Sequence, residues 1–470
     1  MTSRIFPISA LLGGVALLLP GSGLLGTLLA VRGGLEGYST TVIGLVMSAY
    51  FAGFLVGTGI APIVIRRVGH IRAFAIFAAV ASTTALTHAI WVDPWVWGLL
   101  RVLTGIAIVG LYNVIESWLT AQATNESRGG IFAVYMIVNL LALAAGQWLI
   151  LLAPPSSFEL FSLIGILVAL SLVPVALTKL GQPDATLSGD VPLSLILRAA
   201  PVAAVGGFGS GLVMGAFWGM GPLFAQRIGL DELGVAALMS LTIVGGALLQ
   251  LPVGRYSDIH DRRRVMGQVA AGAALAAILG AHALSYWPSS IYPTMALYGG
   301  LVFAIYPLCA AHLSDHLDAD QLIGGSSWLL LLHGAGAAIG PLLAGWFMGI
   351  MGPGSLMLYF SILLLPVAWL AGRYAEPRRA DPALAQEQSS HFVPMVRTSP
   401  MAWEMLVAEE EAGMHIASWA PDPDAELDEE IAEAEAYAET RESDDDGEGD
   451  EGAGTQARDH DEPPAPFGQP

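Results

Sequence analysis

The sequence predicts an all-α membrane protein of twelve transmembrane helices in two homologous six-helix halves, followed by a disordered acidic tail. Three observations predict it. First, of 470 residues, 54% are hydrophobic and only 13% charged, whereas an ordinary soluble domain is charged at roughly a quarter of its positions. Second, apolar stretches recur from the N-terminus to about Gly372, each near the roughly 20 helical residues needed to cross a ~30 Å hydrocarbon core. Third, residues of the early stretches recur in the later ones at a nearly constant spacing.

The apolar runs fall at about 7–31, 40–63, 71–91, 97–118, 130–152, 158–178, 199–225, 233–253, 265–285, 290–311, 322–350 and 354–373. The first, after Arg4, continues past Leu29 without a clear small-residue cleavage site, and so reads as a membrane span and not as a signal peptide. An even number of spans puts both termini on one side. With the termini cytoplasmic, fourteen Lys and Arg fall in short cytoplasmic segments and two, Arg32 and Arg227, in outer loops. That asymmetry orients the chain with both termini in the cytoplasm of a bacterial cell, in its inner membrane.

The repeat is explicit. Arg66 and Gly69 match Asp258 and Asp261 at an offset of 192, and Tyr112, Asn139 and Gly146 match Tyr306, His333 and Gly340 at an offset of 194. Six spans per half give both halves the same orientation, a parallel repeat about an axis along the membrane normal. The expected divisions are an N-terminal half at 1–180, a short cytoplasmic linker at 181–197, a C-terminal half at 198–373 and a tail at 374–470.

The net charge of −20 belongs to the tail, which holds 26 acidic residues against five arginines. Such a segment cannot bury enough apolar surface to offset chain entropy, so disorder is expected. Two apolar islands, Phe392 to Met395 and Ala402 to Trp419, could fold on a partner or on the membrane surface.

Gly254-Arg255-Tyr256-Ser257-Asp258-Ile259-His260-Asp261-Arg262-Arg263 joins spans eight and nine. A tight acid–base cluster there can lock neighbouring helix ends and release them on movement. With Arg101-x-x-x-Gly105 in span four and Gly334-x-Gly336-x-x-x-Gly340-Pro341 in span eleven, this segment resembles the signature set of the major facilitator superfamily. Within that superfamily the chain is similar to the YcaD-like branch of bacterial transporters. The passages that carry this likeness are Arg66 to Arg72, Glu116-Ser117-Trp118 with Ala123 to Gly129, Tyr135-Met136 leading to Gly146-Gln147, and Tyr306-Pro307. One departure is that Arg66 stands where the superfamily pattern places an acid. The resemblance implies a transporter whose cytoplasmic gate involves Arg66, Gly69, Arg72, Gly254, Asp258, Asp261, Arg262 and Arg263. It also implies that spans one, four, seven and ten line a central cavity.

Candidate cavity or coupling groups are Ser22, Thr27, Arg101, Asn113, Glu116, Asn139, Met214, Trp218, Tyr298, Tyr306 and His333. Arg101 is the basic residue set well inside a span. It should face the bundle interior unless it snorkels to the surface beside Asp93. Glu116, at the cytoplasmic end of span four, reads either as a partner for Arg66 or Arg128 or as an interfacial carboxylate near water. Asn139 and His333 are repeat-related and suited to helix-to-helix hydrogen bonds. Gly207, Gly211, Gly215 and Gly219 form a small-residue stripe for close packing, with flexing near Met214, Trp218 and Met220 as the sharper option. Gly336, Gly340 and Ala344 form a similar stripe in span eleven.

Other classes find little support. Cys309 is the single cysteine, so neither an internal disulfide nor a Cys/His zinc spacing arises. His312, Asp315, His316, Asp318 and Asp320 sit at a helix end, where a solvated cap is commoner than a metal site. No phosphate-binding Gly-rich loop with Lys-Ser/Thr occurs, which disfavours an ATP-driven pump. No nucleophile, base or metal constellation suggests an enzyme, and no cofactor is expected. The expected partners are the lipid bilayer, a small solute, protons as an option, and an unidentified tail partner; nucleic acid is not among them. A secondary active transporter is the first reading, its apolar cavity mildly favouring a neutral or amphipathic solute. A transporter-like receptor or scaffold acting through the acidic tail is the alternative.

Overall fold

In the computed structural model, residues 8–122, 128–177, 192–284, 286–317 and 319–374 are described. The expectations for the tail and for most of the linker lie outside the described residues. Twelve helices long and apolar enough to cross a membrane are present among the described residues. We number them α1 (Ser9–Leu35), α2 (Thr40–Val68), α3 (His70–Ile90), α4 (Pro94–Gln122), α5 (Arg128–Trp148), α6 (Glu159–Leu170), α7 (Pro201–Arg227), α8 (Glu232–Asp258), α9 (Arg262–Leu284), α10 (Ile291–Ser314), α11 (Ala319–Met351) and α12 (Ser355–Arg373). Short helical pieces extend α5 over Leu149–Leu152 and α6 over Leu172–Ala176, and another, Leu193–Ala199, leads into α7. The described residues contain no strand.

Local chemistry sets the helix ends. Ser39 Oγ accepts from Val42 N–H, Asp231 Oδ1 from Gly234 N–H and Asp261 Oδ1 from Arg264 N–H, each supplying an acceptor to a first-turn amide that no helical carbonyl can reach. Gly69 separates α2 from α3 at φ 81°, a left-handed conformation cheap only for glycine. Several helices run past the apolar spans read from sequence because polar last turns remain helical. Gly254 to Asp258 thus form the end of α8 and not a loop, and Arg262 and Arg263 open α9.

The two halves pack alike, and glycines fix how. A Cβ on Gly53 would meet the Val102 backbone, as one on Gly245 would meet that of Ala296. Gly105 lies against Tyr50 as Gly299 lies against Thr242, and Gly146 lies against Pro20 as Gly340 lies against Leu212. These pairs are related by the sequence offsets of 192 and 194, so the repeat is structural. Helix pairs α2–α4, α8–α10, α1–α5 and α7–α11 are in backbone contact at these points, where only a residue without Cβ permits the approach. In α7, Gly211 meets the His333 carbonyl and Gly215 meets Ala337, while Gly336 answers against Phe208. The glycine stripe is therefore packed.

Outward-facing side chains are apolar. Trp95 is 77% exposed and Leu99, Leu141 and Trp369 are each 63% exposed, a surface that would associate in water but matches lipid.

Candidate functional site

A cleft opens between the halves. It is lined by Ser22, Gly23, Gly26 and Thr27 of α1, Tyr50 and Phe51 of α2, Arg101 of α4, and Trp218 and Gly219 of α7. Gly26 and Trp218 are repeat-related, as are Thr27 and Gly219, so corresponding turns of α1 and α7 face each other across it.

Arg101 does not snorkel. It is 5% exposed and lines the cleft, with Cζ 4.4 Å from the centroid of the Tyr50 ring. Asp93, the surface partner considered for it, instead accepts from the Trp95 and Val96 amides at the start of α4. A guanidinium over an aromatic face is attracted by the ring quadrupole, the more so where water is excluded. Thr27 donates to Gln147 Oε1 at 2.5 Å, and Gln147 Nε2 donates to the Leu143 carbonyl, which ties the α1 wall to α5.

The other candidate residues are distributed differently from the sequence expectation. Trp218 lines the cleft, stacked on Phe303 of α10. Asn113 and Met214 are buried in α4 and α7 and are not among the lining residues. Tyr298 stacks on Phe360 of α12, with centroids 4.9 Å apart, and Tyr306 lies against His333 of α11 at 4.6 Å. Those two tyrosines are thus engaged with neighbouring helices of their own half, and α2 contributes to the cleft in place of α10. Sequence reading overlooked Tyr50 and Phe51 because the resemblance named spans one, four, seven and ten as lining and left out span two. His333 shares a 2.9 Å hydrogen bond with Ser210 of α7, the helix-to-helix role expected of it. Asn139 is fully buried one turn from Tyr135.

Glu116 lies deeper in the protein than one of its two sequence readings had it. It is 0% exposed and accepts from the Tyr135 hydroxyl of α5 at 2.8 Å, which does not fit a carboxylate open to water. The reason is length: α4 stays buried through Leu119 and helical to Gln122, beyond the apolar run used to place its end. The side chain of Arg128 lies outside the described residues.

The start of α1 and the end of α12 lie at the same face of the bundle, since twelve spans separate them. There Arg66, Arg67 and Arg72 are exposed beside Gly69, and a second cluster lies in the other half. Arg262, 5% exposed, bonds Asp258 at 3.4 Å and Asp315 at 3.3 Å. Arg263 donates to the Tyr374 carbonyl at 2.9 Å and lies 3.4 Å from His316 Nε2. This network joins α8, α9, the end of α10 and the end of α12. Asp315 is thereby turned toward Arg262, and no group of three or more potential metal ligands converges among the described residues.

Contacts between the halves cluster at the opposite face, and sequence reading missed them. Ser48 Oγ of α2 accepts from the Leu342 N–H of α11 at 3.0 Å, beside Pro341, and Ser240 Oγ of α8 donates to the Ala144 carbonyl of α5 at 2.8 Å. Ser48 and Ser240 are themselves repeat-related. Thr40 donates to the Gly345 carbonyl at 2.7 Å and Gln226 to that of Val31 at 3.1 Å. The only sequence signal for these serines was the offset of 192, which relates them.

The family model of the Major Facilitator Superfamily matches residues 203–410. The chain is 29% identical over 347 residues to the protein named uncharacterized MFS-type transporter YcaD of Escherichia coli O17:K52:H18, covering 73% of this chain and 88% of that one. The YcaD of Escherichia fergusonii is 27% identical over 338 residues, covering 71% and 87%. The chain is thus similar to members of the major facilitator superfamily in sequence over its second half and to YcaD-type transporters over most of its length. Its fold resembles the crystal structure of the nucleoside transporter NupG, with a TM-score of 0.65, 14% identity and coverage of 77% of this chain and 98% of that one. It also resembles the D-xylose-proton symporter, with a TM-score of 0.61, 14% identity and coverage of 79% and 98%. The twelve apolar helices and these likenesses support a multi-pass bacterial membrane protein, and the likeness to a YcaD-like branch agrees with the named relatives.

Proposed function

We propose that this protein is a member of the major facilitator superfamily and a secondary active transporter that moves a small solute across the bacterial inner membrane by alternating access. Residues 1–180 and 198–373 are the two moving bodies, 181–197 the link between them, and protons one option for the coupling ion. Both termini face the cytoplasm, on the Lys and Arg asymmetry. The observation that supports the reading best is the uneven placement of contacts among the described residues. The hydrogen bonds of Thr40, Ser48, Gln226 and Ser240 cross between the halves at the face away from the termini. At the terminal face, the bonds of Arg262 and Arg263 join helices within the second half. Closure at one end of a cleft held between two similar bodies is the arrangement of an inward-facing carrier, and exchange of closure between the ends would carry solute across.

The gate role of Arg66, Gly69, Arg72, Gly254, Asp258, Asp261, Arg262 and Arg263 is part of the same proposal. The test is flux into proteoliposomes across a metabolite panel under imposed gradients. Deleting residues after Arg379 should leave flux intact, whereas a receptor acting through the tail would lose its phenotype with the membrane part folded. Failure of every gradient and solute to drive flux would contradict the transporter reading.

A further inference from the structure

We propose a site for an acidic phospholipid on the outward face of the second half, where the start of α9 meets the end of α12, with the lipid phosphate held by Arg264 and Arg373. It goes beyond the transporter reading and does not rest on it.

Each of the two helices turns one stripe outward. In α9 the exposed residues are Arg264, Gln268, Ala271, Leu275, Ile278 and Leu279, and in α12 they include Ile362, Leu365, Trp369 and Arg373. Recurrence every three or four residues puts each set on one helix face. The helices are held together along this length. A Cβ on Gly267 would meet the Ala368 carbonyl and the Gly372 amide, each at 3.2 Å. Ser361 donates to the Ala274 carbonyl at 3.0 Å, and Arg263 donates to the Tyr374 carbonyl at 2.9 Å. The stripes therefore belong to adjoining helices, and both end in an arginine at the terminal face.

Their chemistry changes at that end. Leu275, Ile278 and Leu279 with Ile362 and Leu365 present an aliphatic surface suited to acyl chains. Arg264, Gln268, Trp369 and Arg373 replace it in the turns nearest the terminal face, with the Arg373 Cζ 5.5 Å from the centroid of the exposed Trp369 ring. An indole with its edge toward water and a cation beside it belong at headgroup depth. Neither Arg264 nor Arg373 makes an ion pair among the described residues. The nearby carboxylates are turned elsewhere: Asp261 accepts from the Arg264 backbone amide, and Asp258 and Asp315 bond Arg262. A phosphodiester offers paired oxygens to a guanidinium fork, and its acyl chains would continue along the aliphatic stripes. A choline headgroup adds a cation that two arginines repel. Charge complementarity thus selects an acidic phospholipid over a zwitterionic one.

The experiment uses the full chain in phosphatidylcholine nanodiscs doped with a trace of photoreactive phosphatidylglycerol or photoreactive phosphatidylcholine of identical acyl chains. Cross-linked peptides are mapped by mass spectrometry. Labelling of the two outward stripes by phosphatidylglycerol should exceed that by phosphatidylcholine about thirtyfold, the equivalent of about 1 kcal/mol for each arginine at an anionic surface. Arg264→Gln with Arg373→Gln should lower that excess at least about tenfold. Arg66→Gln with Arg67→Gln removes the same charge from the terminal face of the first half and should leave the excess in place. The comparison of the two lipids on the unmodified chain decides the matter even where a variant fails to fold. Equal labelling by both lipids, as when the chain's own acidic residues hold the arginines, would overturn the proposal. So would labelling of neither stripe, as when a second copy of the chain covers this face. An unchanged excess in the folded Arg264→Gln, Arg373→Gln variant, or an equal loss in the Arg66→Gln, Arg67→Gln variant, would do the same. Displacement of phosphatidylglycerol by inorganic phosphate would make the arginines a site for the free ion and remove the lipid.

Discussion

The guanidinium of Arg101 in α4 lies over the ring of Tyr50 in α2, its carbon 4.4 Å from the ring centre. Gly105, one turn beyond Arg101, lies against the Tyr50 backbone. The same tyrosine therefore fixes both the separation of the two helices and the position of the charge. An arginine spread over a ring is not replaceable by a compact ammonium.

Arg101→Lys should therefore insert normally and lose transport, with flux per inserted molecule falling at least tenfold, a loss of about 1.4 kcal/mol or more at the barrier. Equal flux in lysine and arginine forms would return Arg101 to a structural role.

The glycine contacts predict a sharp contrast between two conservative changes. At Gly215 a Cβ would collide with the Ala337 backbone, whereas at Gly59 it would meet nothing within 4 Å. Gly215→Ala should cost on the order of 1–3 kcal/mol through overpacking, and Gly59→Ala should be neutral or stabilise by up to about 1 kcal/mol. Thermal midpoints of the purified variants check this; similar midpoints would mean that α7 and α11 can part without cost.

At the terminal face, Arg262 is buried between two carboxylates that are each partly exposed, Asp258 at 26% and Asp315 at 21%. Either Asp258→Asn or Asp315→Asn leaves Arg262 one of these two anions, and the double change removes both. The double variant should lose more than the sum of the singles, by about 0.5–3 kcal/mol. In the carrier reading, reagents should also reach this face more freely. Strict additivity of the three thermal shifts would show that the two carboxylates do not share Arg262.

Much of the fold was legible in the sequence, for physical reasons that can be named. Span length and apolarity answer directly to bilayer thickness, and the repeat survived in glycines because Gly53, Gly105 and Gly146 sit where backbones touch and nothing larger fits. Less of the cleft was legible. Arg101 stood out because a charge in a span is costly, but Tyr50 and Phe51 look like any aromatic pair until α2 and α4 are in contact. The full burial of Glu116 was not legible because hydropathy marks where apolar runs end and not where neighbouring helices stop covering them. Ser48 and Ser240 carry no local signal, since their partners are backbone groups on helices distant in sequence.

Those two serines supply the most direct test of the account. Each contributes one neutral hydrogen bond between the halves, worth about 1 kcal/mol, so Ser48→Ala with Ser240→Ala should shift the closed-to-open ratio of the opposite face by roughly 30-fold. The measurement is a pair of spin-label distances between the halves, from Glu36→Cys to Leu233→Cys at that face and from Arg67→Cys to Arg255→Cys at the terminal face, all at exposed positions. Cys309 is fully buried and shielded from the label. Alternating access predicts that the double alanine variant lengthens the first distance and shortens the second. Two distances that stay fixed, or that lengthen together, would contradict it.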